Sequence, residues 1–369
     1  MDAGGAHYPG ADVSVAIVDT GTINHSALYP RVYDVHYIDV NWYRWNFWIW
    51  PRYVYVAQLY HIDSTSDWEY CEDWNPEHDY LDEDSILYQK KGIYDGYQTP
   101  GWDYGHGTGV TGALLRMAPF LGTWQGGQLI LVDIIDCPYL DELADLWPRK
   151  EAWELGLYAL NYWFDPNVVS ISYGDPSSSF LVDEIDDLQS DGRTVVVAAA
   201  GNDDKEDVVY PAALENVVAV GAVYARSPQP PEVPIAWVDE DDYGVRVTEG
   251  AGVEWGSNYG PEIEVMGPGR FVWTFGGTPY TNWVKMEGTS VATPIVAGVF
   301  ALVFQAYYYE HGQFPLSDVA RELVEFHCDP GGQDTDNFDT DDTSTRQNNY
   351  YGYGIVDAWE ALNAVGPTC

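Results

Sequence analysis

Lysine is scarce in this chain: five of its 369 residues, beside eleven arginines. Together the 16 basic residues face 58 acidic ones, for a formal net charge of −42. Phosphate contacts need basic side chains, so nucleic acid is not an expected partner. The acids run through well-patterned segments, which excludes a disordered acidic tail. A basic partner would call for one acidic face. A surface that is acidic throughout repels itself at low ionic strength and is screened in molar salt. Adaptation to high salt is therefore the expectation.

Cysteine is sparse as well. Cys71, Cys137, Cys328 and Cys369 match no metal-ligand spacing. They form up to two disulfides, in one of three connectivities, or stay as buried thiols. No apolar run is read as a membrane span. The stretch from Ile49 to Leu59 is apolar and aromatic but broken by Pro51 and Arg52, so no membrane partner is expected. Met1 to Gly10 lacks the basic and apolar regions of a signal peptide. Apolar and aromatic residues are plentiful, at 46% hydrophobic content with 16 Trp and 29 Tyr. That suffices for the core of one large α/β domain or two small ones.

Short β-branched runs recur along the chain. Val13–Val18, Leu129–Asp133, Val168–Gly174, Thr194–Asn202 and Val217–Ala222 read as buried strands. Helical spacing falls between them, over 141–163 and 180–192, and again after Gly288 and over 316–327 and 357–365. Alternating strands and helices predict an α/β fold: a mostly parallel central sheet with helices on both faces. The stretch 257–269 reads as a turn-rich connector. Two regions stand apart. Roughly 30–100 is irregular, with the aromatic run Asn41–Trp50, and reads as an insertion whose aromatics form their own core or a binding surface. The loop 331–349 is rich in Asp, Thr and Asn, and its spacing fails the EF-hand pattern at Asp339 and Thr345.

Four polar residues sit where chemistry is easily placed. Asp19 ends the first strand, where α/β folds set ligand and catalytic groups. His106 lies between Gly105 and Gly107 before a small-residue helix, and imidazole is the side chain suited to base work near neutrality. Asn202 follows the small-residue strand end Ala199-Ala200-Gly201. Ser290 heads a long apolar stretch, beside first-turn N–H groups and the positive end of the helix dipole. Three of them have a plain alternative: a turn acid for Asp19, a helix-start His for His106 and a Ser/Thr N-cap for Ser290. Pro294 reads as a first-turn proline.

In order, these motifs resemble those of the subtilisin-like serine peptidases, the subtilases. Gly288-Thr289-Ser290-Val291-Ala292-Thr293-Pro294-Ile295-Val296-Ala297-Gly298 is similar to the family's serine motif, with departures at Val291 and Ile295. Val15-Ala16-Ile17-Val18-Asp19-Thr20-Gly21 resembles its aspartate motif, and His106-Gly107-Thr108-Gly109-Val110-Thr111-Gly112 its histidine motif, with Gly109 in place of a usual second histidine. Tyr210-Pro211-Ala212, Ser257-Asn258-Tyr259-Gly260 and Tyr353-Gly354-Ile355-Val356-Asp357-Ala358 resemble further family segments.

The resemblance implies a single catalytic domain over 1–369 with the three-layer subtilisin-like fold. It implies a serine endopeptidase acting on polypeptides: Ser290 attacks the carbonyl, His106 moves the proton, Asp19 holds the imidazole, and Asn202 with the Ser290 N–H binds the oxyanion. Ser172, Tyr173 and Gly174 would pair with extended substrate as an added strand, and Ala199, Ala200 and Gly201 would line the pocket for the residue before the cut. Asp203 and Asp204 would bias that pocket toward basic residues. No cofactor is needed for the chemistry. Structural calcium is a family expectation with no ligands mapped here. The 87 positions from Asp19 to His106 exceed the family's usual spacing, and the 18 residues before Asp19 leave no room for the family's pro-segment. The chain then reads as the mature part of an exported product or as an intracellular enzyme, and the cysteines favour an extracellular location. A silent peptide-binding scaffold and an acyl-transferring enzyme are the competing classes.

Overall fold

The computed structural model describes residues 13–21, 34–47, 50–62, 68–74, 105–120, 127–134, 150–179, 181–224, 244–250, 253–276, 283–329 and 348–366. Eleven strands lie among them: β1 (Ser14–Asp19), β2 (Asp34–Phe47), β3 (Trp50–Ile62), β4 (Trp68–Trp74), β5 (Gln128–Asp133), β6 (Val168–Ile171), β7 (Val195–Ala199), β8 (Val217–Tyr224), β9 (Ile263–Arg270), β10 (Val272–Phe275) and β11 (Trp283–Met286). The helices are α1 (His106–Phe120), α2 (Lys150–Trp163), α3 (Val182–Leu188), α4 (Thr289–His311), α5 (Ser317–Glu325) and α6 (Ala358–Ala364). One sheet runs β4-β3-β2-β5-β1-β6-β7-β8-β9, and β10 and β11 form a separate hairpin. From β2 to β9 the neighbours are parallel, while β3 and β4 add an antiparallel edge.

Parallel strands with helices on both faces are buried on both sides, which is why their sequences are continuous apolar runs. In β1, Val15 and Ile17 point into one core, and Ala16 and Val18 into the other. The first core joins α1 through Val110 and Leu114, α4 through Val296 and Phe300, and α5 through Val324. The second joins α2 through Trp153 and Leu157, and α3 through Ile185 and Leu188. The α/β class, with its mostly parallel sheet, is therefore as expected.

Helix α4, 23 residues, is long and apolar enough to cross a membrane by length and composition, which corrects the expectation that no apolar run has the length to span a bilayer. Its most apolar stretch is 89% buried, so the core accounts for that apolarity.

The sheet departs from expectation in three places. The stretch 257–269 holds a strand, β9, although Gly267-Pro268-Gly269 reads as a turn. It lies at the sheet edge, where proline costs no ladder bond. The short hairpin β10–β11 had no alternating signal to announce it. The region 34–74, expected to stand apart, joins the main sheet in its described parts: β2, β3 and β4 extend it. β2 pairs with β5 from Asp34 to Asp39, and from there to Phe47 it pairs only with β3, beyond the C-terminal end of β5. The backbone of the aromatic run thus projects from the edge where the parallel strands end. The side chains of 41–50, all of 75–104 and the acidic loop up to residue 347 lie outside the described residues.

Candidate active site

In lateral register, Val18 lies beside Ile171, and Ile171 beside Ala198. Asp19, Ser172 and Ala199 therefore leave the sheet side by side at its C-terminal edge. α1 begins at the same place. The N–H of Gly107 donates to Thr20 Oγ1 at 2.9 Å, and a β-carbon on Gly107 would run into Gly21 O, so only glycine lets the helix start so near the strand end. His106 Nδ1 then lies 2.7 Å from Asp19 Oδ1. An ionised carboxylate only accepts, so Nδ1 carries the proton and Nε2 presents its lone pair. Asp19 is 3% exposed and His106 29% exposed, so the acid is buried and the imidazole reaches the surface. The Thr20 N–H donates a further 2.7 Å bond to Asp19 Oδ1.

The N-cap of α4 is Gly288, at φ +135°, which has no side chain to cap with. Ser290 is therefore no capping residue. It stands in the first turn, where N–H groups have no partner in a preceding turn. A β-carbon on Gly288 would sit 3.4 Å from Ser290 Oγ and 3.5 Å from Asn202 Nδ2, so the hydroxyl and the amide border one space kept open by glycine. Asn202 Oδ1 accepts from Thr289 N at 2.8 Å and Thr289 Oγ1 at 3.0 Å. Those bonds fix which end of the carboxamide is the oxygen and leave its N–H groups as donors toward that space.

Pro294 is the sixth residue of α4, so it lies in the second turn and not the first. Without an N–H it leaves Ser290 O with no partner one turn on. The Ser172 hydroxyl takes that role, donating to Ser290 O at 2.7 Å. Ser172, expected on the substrate side, thus spends its side chain on the backbone of Ser290 and offers substrate only its main chain. Tyr173 stacks on Trp153, with ring centroids 4.8 Å apart, and burial raises its phenol pKa. A β-carbon on Gly174 would meet the Val209 side chain. Ala199 and Ala200 are buried, and Gly201, at φ +107°, packs against the Asn258 amide.

Asp204 corrects the expected acidic pocket rim. Its carboxylate accepts from Arg246 Nη1 at 2.8 Å and from Glu249 N at 2.9 Å, so its charge is paired within the protein. Asp203 is exposed and lies 3.9 Å from Lys205. The sequence reading also passed over two buried residues. Asn258 accepts from Asp203 N and donates to Asp207 O, bracing the loop after Asn202. Asp133 lies in register with Asp19 and accepts from Tyr37 Oη at 2.6 Å. Its position, an acid closing a buried strand, is the signal that had singled out Asp19. Cys328 is a free, buried thiol, which rules out two disulfides. Among the described residues no group of His, Cys, Asp or Glu is arranged to hold a metal ion.

The subtilase family model matches residues 10–354. The chain belongs to the subtilase family. Like this subtilase, the thermostable alkaline protease of Halalkalibacterium halodurans carries the matching region, with 32% identity over 208 residues, 55% of this chain and 48% of that protein. Halolysin of Haloferax mediterranei is 35% identical over 113 residues, 31% of this chain and 17% of its own length. This chain thus spans about half the length of the first relative. A lanthipeptide protease of known structure shares the fold, with a TM-score of 0.58 and 18% identity over 97% of this chain and 89% of that one.

Proposed function

We propose that this subtilase is a serine endopeptidase, built as a single catalytic domain, that cleaves polypeptides through Asp19, His106 and Ser290. The observation that carries the reading is the 2.7 Å contact between His106 Nδ1 and buried Asp19. A buried acid on Nδ1 sets the tautomer whose Nε2 takes the serine proton, and it stabilises the imidazolium that forms. Ser290 Oγ attacks the peptide carbonyl. His106 returns the proton to the leaving amine, and water then releases the acyl group by the same path. The negative oxygen of each tetrahedral state is met by Asn202 Nδ2 and the backbone N–H of Ser290. Asn202 Nδ2 and Ser290 Oγ border the space held open at Gly288. The main chain of 172–174 receives extended substrate, and 199–201 the residue before the cut. No metal takes part in these steps, and a structural calcium has no ligands assigned.

The proposal includes adaptation to high salt, supported by the net charge of −42. Labelling by a fluorophosphonate probe, in molar KCl and in dilute buffer, tests both parts. Ser290→Ala is the control. Labelling of the wild type alone, strong in salt and lost without it, is the expected result. Equal labelling in both buffers keeps the enzyme and discards the salt dependence. A folded protein that never labels supports a silent scaffold.

A further inference from the structure

Asn202 opens a loop, 202–207, whose backbone is held by the segment 256–259. Asn258 Oδ1 accepts from Asp203 N at 2.8 Å and Lys205 N at 3.3 Å, and Asn258 Nδ2 donates to Asp207 O at 2.8 Å. Gly256 N donates to Asn202 O at 3.4 Å, and Asp204 N to Gly256 O at 2.9 Å. Asp204 sits at φ +53°, in the left-handed region that side chains disfavour, so something must hold it there. Arg246 does so. Its Nη1 donates to Asp204 Oδ1 at 2.8 Å and to Ser257 O at 2.5 Å. Its guanidinium carbon lies 4.9 Å from the Tyr259 ring centre and 5.7 Å from that of Tyr350, two rings stacked on each other. A β-carbon on Gly256 would sit 2.6 Å from Asp204 Cβ, so the acid is wedged as well as paired.

We propose that the Asp204–Arg246 pair is a positioning device for the Asn202 carboxamide. The proposal rests on the peptidase reading above. Exposed ion pairs contribute little, because both side chains are free to leave. This one is different: Arg246 is 12% exposed and Asp204 20%, with the guanidinium fixed on aromatic faces. One end of Asn202 is tied to the nucleophile helix through Thr289, and the other end is the loop that this pair holds. An oxyanion donor acts by being in place before charge develops, so the pair would serve the transition state more than substrate binding.

The test is a double-mutant cycle on a chromogenic peptide anilide in molar KCl, comparing wild type, Arg246→Gln, Asp204→Asn, Asn202→Ala and the double variant Asn202→Ala/Arg246→Gln. Misplacing a catalytic group costs up to ~100-fold, so kcat should fall about tenfold or more in Arg246→Gln and Asp204→Asn with KM unchanged. In the Asn202→Ala background, Arg246→Gln should cost nothing further. Arg246→Lys keeps the charge without the fork and should fall between. If Arg246→Gln does not fold in salt, Asp204→Asn, with nearly the same shape, carries the same cycle. The same loss in both backgrounds, or a loss confined to KM, would overturn the positioning role and leave the peptidase standing. Full turnover by Asn202→Ala would overturn the oxyanion role and this proposal with it. A wild type without turnover would overturn the peptidase reading itself.

Discussion

Gly107 meets Gly21 so closely that a β-carbon on the first would occupy the place of the second's carbonyl oxygen. This contact sets His106 against Asp19, and it separates three glycines on one helix. Gly→Ala inside a helix gains up to ~1 kcal/mol, and overpacking costs ~1–3 kcal/mol when the neighbour cannot move. At Gly107 the neighbour is backbone. At Gly112 it includes Phe275 N, 2.5 Å from the added carbon. At Gly109 it is the Met286 thioether, which can swing aside. Gly107→Ala and Gly112→Ala should lower the melting temperature in molar KCl, while Gly109→Ala leaves it level or raises it. Gly107→Ala should also slow fluorophosphonate labelling in the fraction that stays folded. A Gly109→Ala protein that melts earlier than Gly112→Ala would refute this ranking.

Asp19→Asn tests the role of the Asp19 charge. The Thr20 N–H needs an acceptor, so the asparagine oxygen should stay where Asp19 Oδ1 is now. His106 Nδ1 then meets an uncharged group, and no carboxylate remains to stabilise an imidazolium. In a serine peptidase of an unrelated fold this change costs about 10⁴ in kcat. A loss of that order, with KM little changed, is expected here. Turnover within about tenfold of wild type would show that Asp19 does not govern His106.

The four candidate residues stand out in the sequence because chemistry fixed both their types and their glycine neighbours. The groups that aim them do not, because each works across long chain separations. Ser172 reaches Ser290 O over 118 residues, Asn258 reaches Asp203 over 55, and Arg246 reaches Asp204 over 42. β1 and β5 to β8 are legible because burial on both faces leaves continuous apolar runs. β9 is hidden by Gly267-Pro268-Gly269. A β-carbon on Gly269 would sit 2.9 Å from Gly288 O, so the feature that reads as a turn is a close approach to the α4 N-terminus. Asp204 is adjacent to the site in sequence, yet its carboxylate is bound to Arg246, which lies in a segment no local pattern connects to it.

Glu264 should make stability depend on pH. Burial, first, and the neighbouring Glu325, second, raise its pKa well above the usual 4.5, while Arg321 lowers it by less. A carboxyl whose folded pKa is raised stabilises fully below its unfolded value, and that contribution is lost as pH rises through the folded pKa. The fold should therefore weaken as pH climbs above the ordinary glutamate range. Glu264→Gln keeps the neutral shape and leaves Arg321 paired with Glu325 at 3.1 Å. Its melting temperature should fall less than that of wild type on going from mildly acidic to alkaline buffer. Parallel slopes for the two proteins would remove Glu264 as the cause.

Cys328 offers a direct reading of salt dependence. Its thiol is buried, donates to Val324 O at 3.3 Å, and has its pKa pushed up by burial and then by Glu325. Thiolate is the form that alkylates, so Cys328 should resist iodoacetamide for as long as α5 stays packed. A surface of net charge −42 repels itself, and only dissolved ions screen that repulsion. Lowering KCl should therefore open the fold, and alkylation of the Cys328 peptide, followed by mass spectrometry, should rise as salt falls. KCl and sodium sulfate at equal ionic strength separate two causes. If screening dominates, the two salts protect alike. Sulfate also strengthens apolar burial, so much stronger protection by sulfate would assign the effect to the core and not to the charged surface. Protection that persists in dilute buffer would show that the acidic surface does not make this fold depend on salt.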